Sequence, residues 1–588
     1  MRAFTRPVAL VAAVIMAAAS LTAASTPTVA QGKAAGSATT TKSEKARVDA
    51  VKTPKLGWYS CYTDYKCTTV KVPLDYDQPK GPQVELALLK VPAGDKKRRV
   101  GTLFVNPGGP GASGTELAFY APANFSAKLL DRFDIVGFDP RGVGFSSNVT
   151  CFATNAQSQT VLNTIRSTPF PDTGAEKAAF VKAYNAHAKA CSSTGLPLTG
   201  AISTAEVARD MDVLRRAVGD RKLNYLGFSY GSYLGEVYAN MFPDRVRSVA
   251  IDGVLDPTAW AGTPSNAATP LGDRMRSADG AAKALNEILV RCDLAGGLAC
   301  EFAPGDPVKN WRLIAERLKV KPLDLDGQTY GYPEFVGESM SALYYDFGAD
   351  LIAELGADLI VATEPPATRS KAAAKRASAA RKAAKVSLVK LRTKLASLTK
   401  PTTPFGKKFG RSTLGFPYDN SLDAFQTISC TDSLDSPNLA GYPALAAAAE
   451  RRAPYFGALW VWNMASCASP SWTVNDEDAY RGPFNRRTAK TVLIVGNYWD
   501  PATNYAGAVA ASKLMPNSRL LSSDSWGHTA YGTSDCVTNA VDNYLIKGTL
   551  PKRGKVCTGS LQPFDGSSVA DALSLQRRIQ APTKPGRP

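Results

Sequence analysis

The chain predicts an α/β fold on a mostly parallel sheet, and three observations carry that prediction. Short apolar runs at 84–90, 101–106, 133–138, 223–227 and 249–252 alternate with helical patterns such as 205–218, the rhythm of strands joined by helical crossovers. From about residue 258 to 486 the patterns turn helical, with helices expected at 280–292, 308–318 and 348–362. The apolar run Thr491-Val492-Leu493-Ile494-Val495-Gly496 then brings the sheet back, followed by 519–521 and a helix at 540–546. At 588 residues the chain exceeds one ordinary domain, and a sheet core with one large insertion accounts for the excess. The expected order is core over 57–257, a mainly helical lid over 258–486, core again over 487–562 and a tail over 563–588.

The loops after these strands carry the chemistry. The run 223–227 leads into Gly227-Phe228-Ser229-Tyr230-Gly231, with Leu234, Val237 and Tyr238 at helical spacing behind it. G-x-S-x-G between a strand and a helix is the pattern of a nucleophile elbow. A serine hydroxyl needs a base, usually a histidine oriented by a carboxylate. The chain has two histidines. His187 sits in an alanine-rich helical stretch and reads as an ordinary helix-surface residue. His528, in Ser525-Trp526-Gly527-His528-Thr529, follows the apolar run 519–521 and comes last, matching the order Ser…Asp/Glu…His. Asp500 follows the run 491–496 and precedes His528, which makes it the expected orienting carboxylate, although Asp-Pro also suits a plain turn.

Acyl transfer further requires amide donors for the developing oxyanion. The N–H of Tyr230 is one. The other is expected from Pro107-Gly108-Gly109-Pro110-Gly111, after the run 101–106, with Gly109 as the choice and Gly108 as the near alternative. No Gly-Lys-Ser/Thr follows, so this loop is not a phosphate cradle. Arg141, in Asp139-Pro140-Arg141-Gly142, reads as structural and pairs with Asp139.

Taken together, Asn106-Pro107-Gly108-Gly109-Pro110-Gly111, Asp139-Pro140-Arg141-Gly142-Val143-Gly144, Gly227-Phe228-Ser229-Tyr230-Gly231 and Asp252-Gly253-Val254-Leu255-Asp256-Pro257 resemble the secreted tripeptidyl aminopeptidases of actinobacteria. Asp500, Gly527-His528-Thr529, Cys536 and Cys557 extend the resemblance to the end of the chain. These are α/β-hydrolases related to the prolyl aminopeptidases, whose His-Gly-Gly-Pro-Gly has Pro107 here in place of the histidine. The resemblance implies an α/β-hydrolase core with a lid inserted between nucleophile and acid. It also implies a serine exopeptidase that releases short peptides, tripeptides above all, from free N-termini. The family includes relatives described as esterases and endo-acting proteases, which keeps an esterase, lipase or endoprotease with the same triad as the alternative. A non-catalytic cell-surface binding protein ranks below both. An aminopeptidase needs a carboxylate for the substrate's ammonium group, and the family pattern points to Asp432, in Ile428-Ser429-Cys430-Thr431-Asp432.

Residues 1–30, with a short positive start and an apolar, alanine-rich run, read as a signal peptide, and 31–56 as a flexible leader. No later run is long and apolar enough to span a membrane. Ten cysteines agree with an oxidising, extracellular destination. They fall as neighbours, Cys61/Cys67, Cys151/Cys191, Cys292/Cys300, Cys430/Cys467 and Cys536/Cys557, and local pairing is the simplest of the connectivities that sequence leaves open. No metal-type cysteine spacing accompanies the two histidines, so neither metal nor cofactor is expected. The net charge of +18 owes eleven to residues 369–400, leaving +7 for the remainder. That segment reads as a basic helical arm with an apolar stripe of Leu388, Leu391, Leu395 and Leu398. Lacking interleaved aromatics, it argues against nucleic acid and leaves a solvated lid helix or a contact with an anionic cell surface.

Overall fold

Parallel strands become nearly continuous apolar runs when both faces of their sheet are covered, and this chain follows that rule. The computed structural model describes residues 36–325, 327–365, 371–399 and 417–565. Its main sheet begins with β1 (Tyr59–Cys61), β2 (Tyr65–Pro73), β3 (Gln83–Val91), β4 (Gly101–Asn106) and β5 (Phe133–Phe138). It continues through β6 (Leu223–Phe228) and β7 (Val246–Asp252), and a small hairpin, β8 (Leu323–Leu325) with β9 (Gln328–Tyr330), stands apart in the lid. β10 (Val492–Trp499), β11 (Ser518–Trp526) and β12 (Val556–Thr558) complete it. The order is β1-β2-β3-β5-β4-β6-β7-β10-β11-β12. Pairing is antiparallel from β1 to β5 and parallel from β5 to β12.

Alternate residues of each central strand enter different cores, as a two-residue period requires. Phe104, Tyr225, Val249, Ile251, Val492 and Ile494 face the helices Thr204–Ala217 and Tyr230–Met241. Leu103, Val105, Leu226, Ala250, Leu493 and Val495 face the helix Asp535–Lys547 on the other side. The fold class is the one the sequence predicts.

A third apolar core belongs to the lid, where Trp311, Phe335, Ile352 and Leu355 pack among helices Pro307–Val320, Tyr332–Leu343 and Gly348–Ala362. Phe180 and Tyr184, from the helix Gly174–Cys191 upstream of the serine, join this core as well. The basic helix Lys371–Thr399 lays Ala384, Leu388, Leu391 and Leu395 against it. The Leu398 side chain lies outside the described residues. The five neighbouring cysteine pairs are all joined as disulfides.

Three expectations are corrected by long-range contacts that local sequence cannot display. The leader is folded in part: Lys42–Asp49 is a helix whose Glu44 pairs with Arg209 at 2.9 Å. Residues 1–35, which contain the expected signal peptide, lie outside the described residues. Arg141 does not pair with Asp139. Its buried guanidinium binds Asp210 at 2.7 Å and Glu206 at 3.0 Å, while Asp139 accepts from Ser113 and from the amides of Thr115 and Phe145.

His187 is not on a surface. It is fully buried, with Nε2 2.9 Å from Asp423 and Nδ1 3.0 Å from the Ser466 hydroxyl. Asp423 also accepts the Cys151 amide at 2.9 Å, so this cluster joins the segment before the nucleophile to the returning lid helix Ser421–Asp432. The alanine-rich neighbourhood hid partners more than two hundred positions away. His187→Ala would strip a buried carboxylate of one partner, and groups left unpaired in this way cost about 1–3 kcal/mol. The variant should therefore melt several degrees lower with its active-site chemistry intact; an unchanged melting temperature would contradict the buried role.

Candidate active site

The residues expected to carry chemistry gather at the carboxyl edge of β4, β6, β7, β10 and β11, where strand order switches and open α/β sheets place their sites. Ser229 lies between β6 and the helix Tyr230–Met241 with φ 56° and ψ −127°. A non-glycine residue at positive φ costs free energy and persists only when its surroundings over-determine it. Here the Ser229 amide donates to the Asp252 carbonyl at 2.9 Å, and the Ser229 carbonyl accepts the Ser232 amide at 2.7 Å. The next N–H, of Tyr230, occupies the first helical position, where no intrahelical acceptor exists.

The glycine-rich loop after β4 approaches this turn closely. Gly108 has φ 96°, and a Cβ there would stand 2.8 Å from both the Ser229 Cβ and the Tyr230 nitrogen. The Gly108 amide is turned back onto the Asn106 side chain at 2.9 Å. Gly109, the expected oxyanion donor, lines the same cavity as Ser229 and Tyr230.

Asp500, at the end of β10, and His528, beyond β11, stand in direct contact. His528 Nδ1 is 3.0 Å from both Asp500 oxygens, 28 positions apart in sequence. Asp500 is held in turn by the amides of Ala502, Thr503 and Thr529 and by the Thr503 hydroxyl, at 2.8–3.0 Å. With Nδ1 engaged, Nε2 is the ring nitrogen left for proton transfer. The lid reaches this histidine too: the Tyr344 carbonyl accepts the His528 amide at 3.0 Å, and its ring meets the imidazole edge-to-face at 5.2 Å. Gly253 makes room beside it, for a Cβ there would lie 3.2 Å from His528 Cε1.

Burial disfavours the His528 imidazolium, but the Asp500 charge and hydrogen bond, with a further contribution from Asp252, outweigh it and raise the group above its ordinary value. Burial likewise pushes Asp500 up, and His528 together with the Thr503 and Thr529 amides brings it below the ordinary carboxylate value.

The cavity over Ser229 holds about 80 Å³ and is lined in part by Trp260, Met275, Tyr344, Phe425, Trp460 and Met464. All six come from the lid segment, and none was singled out in the sequence, where isolated aromatics and methionines carry no motif. The described lining contains no Asp, Glu, Lys, Arg or His. Asp432 in particular does not line it. Asp432 is buried behind the wall, accepting from the Thr204 amide and hydroxyl at 2.7 and 2.6 Å and from the Trp260 indole at 3.1 Å. It braces a wall residue, contrary to the expectation that it meets a substrate ammonium.

Among the described residues, Cys151, His187, Cys191 and Asp423 bring four potential metal-donor atoms together. Both sulfurs are spent in a disulfide, and His187 and Asp423 bond to one another.

Two family models match the chain: one described as alpha/beta hydrolase fold over residues 101–286, the other as TAP-like protein over 453–557. Tripeptidyl aminopeptidase of Streptomyces lividans is 29% identical over 584 residues, covering 95% of this chain and 98% of that protein. Carboxylesterase B of Mycobacterium tuberculosis is 30% identical over 538 residues, covering 86% and 91%. Serine protease Hip1 of the same organism is 29% identical over 544 residues, covering 86% and 92%.

A histidine serving as base works only when neutral, so with His528 in that expected role its raised pKa would set the acid side of the activity profile. The acid-limb midpoint of kcat/KM should lie above the ordinary histidine value of about 6.5. A midpoint below that value would mean that Asp500 does not dominate the imidazole in solution.

Proposed function

Because the chain belongs to the tripeptidyl-aminopeptidase family of α/β-hydrolases, we propose that it is a serine exopeptidase that removes tripeptides from free N-termini through an acyl-enzyme. The observation that carries this reading is the Asp500–His528 contact at the same sheet edge as the strained Ser229 turn. Ser229 Oγ attacks the scissile carbonyl while His528 Nε2 takes its proton. The amides of Tyr230 and Gly109 hold the resulting oxyanion. His528⁺ then returns the proton to the departing amine, and water, activated by the same nitrogen, releases the acyl group as a carboxylic acid. Asp500 keeps the imidazole in the productive tautomer and stabilises its charged form.

The small uncharged cavity suits a compact apolar side chain on the acyl side of the scissile bond. A charged side chain there would lose water without gaining a partner. The same lack of charge favours one competing reading, an esterase, since no described lining residue meets an ammonium group. Free and N-acetylated tripeptide amides and short-chain esters, assayed with the mature enzyme, separate the two. The exopeptidase reading expects the free amide to be cleaved at least about 100-fold faster than its acetylated form. It also expects alanine or proline to exceed lysine or glutamate at the acyl position by a similar factor. Equal rates on blocked and free peptides, or faster ester hydrolysis, would sink it. Ser229→Ala should lower kcat by roughly 10⁴–10⁶-fold in either case.

Five disulfides support export to an oxidising space, and no helix among the described residues is long and apolar enough to cross a membrane. The reading also includes contact of the helix Lys371–Thr399 with an anionic cell surface. Leu388, Leu391 and Leu395 of its apolar stripe are buried, and Lys371, Lys375, Arg376, Lys382 and Lys390 are exposed. Attraction of this kind is screened within about 10 Å at 0.1 M salt. Replacing those five residues with glutamine should abolish salt-reversible retention on anionic vesicles and leave small-peptide kcat unchanged; equal retention of both proteins would remove this part.

A further inference from the structure

Ser229 and His528 come from opposite halves of the sequence, and one residue touches the supports of both. Asp252 ends β7 and is fully buried. Its carbonyl receives the Ser229 amide at 2.9 Å. Its carboxylate receives the amides of Ala530, at 3.0 and 3.2 Å, and Tyr531, at 2.7 Å, just beyond His528. The strained elbow and the loop of the base are thereby tied to a single position at the end of one central strand.

The carboxylate's charge is the unexplained part. Two backbone amides would be served equally well by a neutral amide oxygen, and no Lys or Arg among the described residues forms an ion pair with Asp252. A buried carboxylate without a cation is costly. The charged groups that act on it are Asp500 and His528: burial pushes Asp252 up, the Ala530 and Tyr531 amides pull it back, Asp500 raises it and His528 lowers it, and the balance stands at about 6. The converse effect falls on the histidine, which Asp252 helps to hold in its charged form.

We propose that Asp252 is a positioning residue of the reaction, fixing Ser229 and His528 relative to each other and placing a second buried negative charge behind the imidazole. This rests on the reading of Ser229 as nucleophile and His528 as base. The charge favours the imidazolium that forms as Ser229 attacks, beside the charge of Asp500. Asp252 is fully buried and does not line the cavity over Ser229, so its effect belongs in kcat and in the pH profile, with KM little changed.

Two variants separate position from charge. In Asp252→Asn the side-chain oxygen can still accept from Ala530 and Tyr531 while the charge is gone. Its melting temperature should stay near wild type, kcat should fall several-fold, and the acid-limb midpoint should move down by roughly half a pH unit or more. Asp252→Ala leaves both amides unpaired, and kcat should fall on the order of 100-fold with KM within about twofold, as misplacement of catalytic groups produces. An Asn variant with wild-type kcat and an unmoved midpoint overturns the charge role, and an Ala variant with wild-type kcat overturns the positioning role. Two variants that fail to fold would make Asp252 a folding residue and overturn both. Ser229→Ala, run beside them, distinguishes these failures from a failure of the triad reading: if it keeps activity, the nucleophile itself is wrong.

Discussion

The backbone of Ser229 is the constraint around which the centre of this molecule is arranged. Its φ of 56° and ψ of −127° place a hydroxyl at the sheet edge, and such a conformation is stable only when neighbours leave no alternative. β6 and the following helix supply two sides of that confinement. The glycine-rich loop after β4 supplies a third, and the end of β7 supplies a fourth through the Asp252 carbonyl. All of these are parts of one parallel sheet covered on both faces. The two large apolar cores therefore stabilise the turn as directly as its hydrogen bonds do.

The lid is no loose flap over this edge. It has an apolar core of its own, it recruits Phe180 and Tyr184 from before the nucleophile, and Trp526 and Ala502 of the sheet side join it. Its polar attachments follow the same logic. His187, Asp423 and Ser466 form one buried cluster between upstream and returning segments, and Asp432 holds Thr204 and Trp260. Buried polar groups must be satisfied, and partners distant in sequence satisfy these, which fixes the lid's position over Ser229. Tyr344 carries the fixation to the histidine loop.

Charge is distributed by the same division of labour. Acidic and basic side chains are buried where they brace segments, as in the Arg141, Glu206, Asp210 and Arg209 network under the leader helix. The cavity over Ser229 mixes Trp260, Met275, Phe425 and Met464 with the neutral polar groups of Ser277, Asn463 and Thr503, and its described lining holds no Asp, Glu, Lys or Arg. The largely buried imidazole stands beside the fixed carboxylate of Asp500 and feels that of Asp252, where electrostatic support acts more strongly than in solvent.

Local chemistry was legible in the sequence alone. The central strands, the strand-to-helix turn at Ser229, the Asp500–His528 pair, the buried Leu388, Leu391 and Leu395 of the basic helix and the neighbouring cysteines all depend on residues close together or on motifs of fixed spacing. The short edge strands β1 and β12 were not seen, because three residues of mixed polarity give no period to read. Tertiary structure alone decided the partners of Arg141, the burial of His187, the retreat of Asp432 behind Trp260 and the double attachment of Asp252. In each case the deciding contact joins residues brought together only when the lid and the two halves of the sheet have packed. A carboxylate's role follows from what it faces, and what it faces is a property of the packed fold.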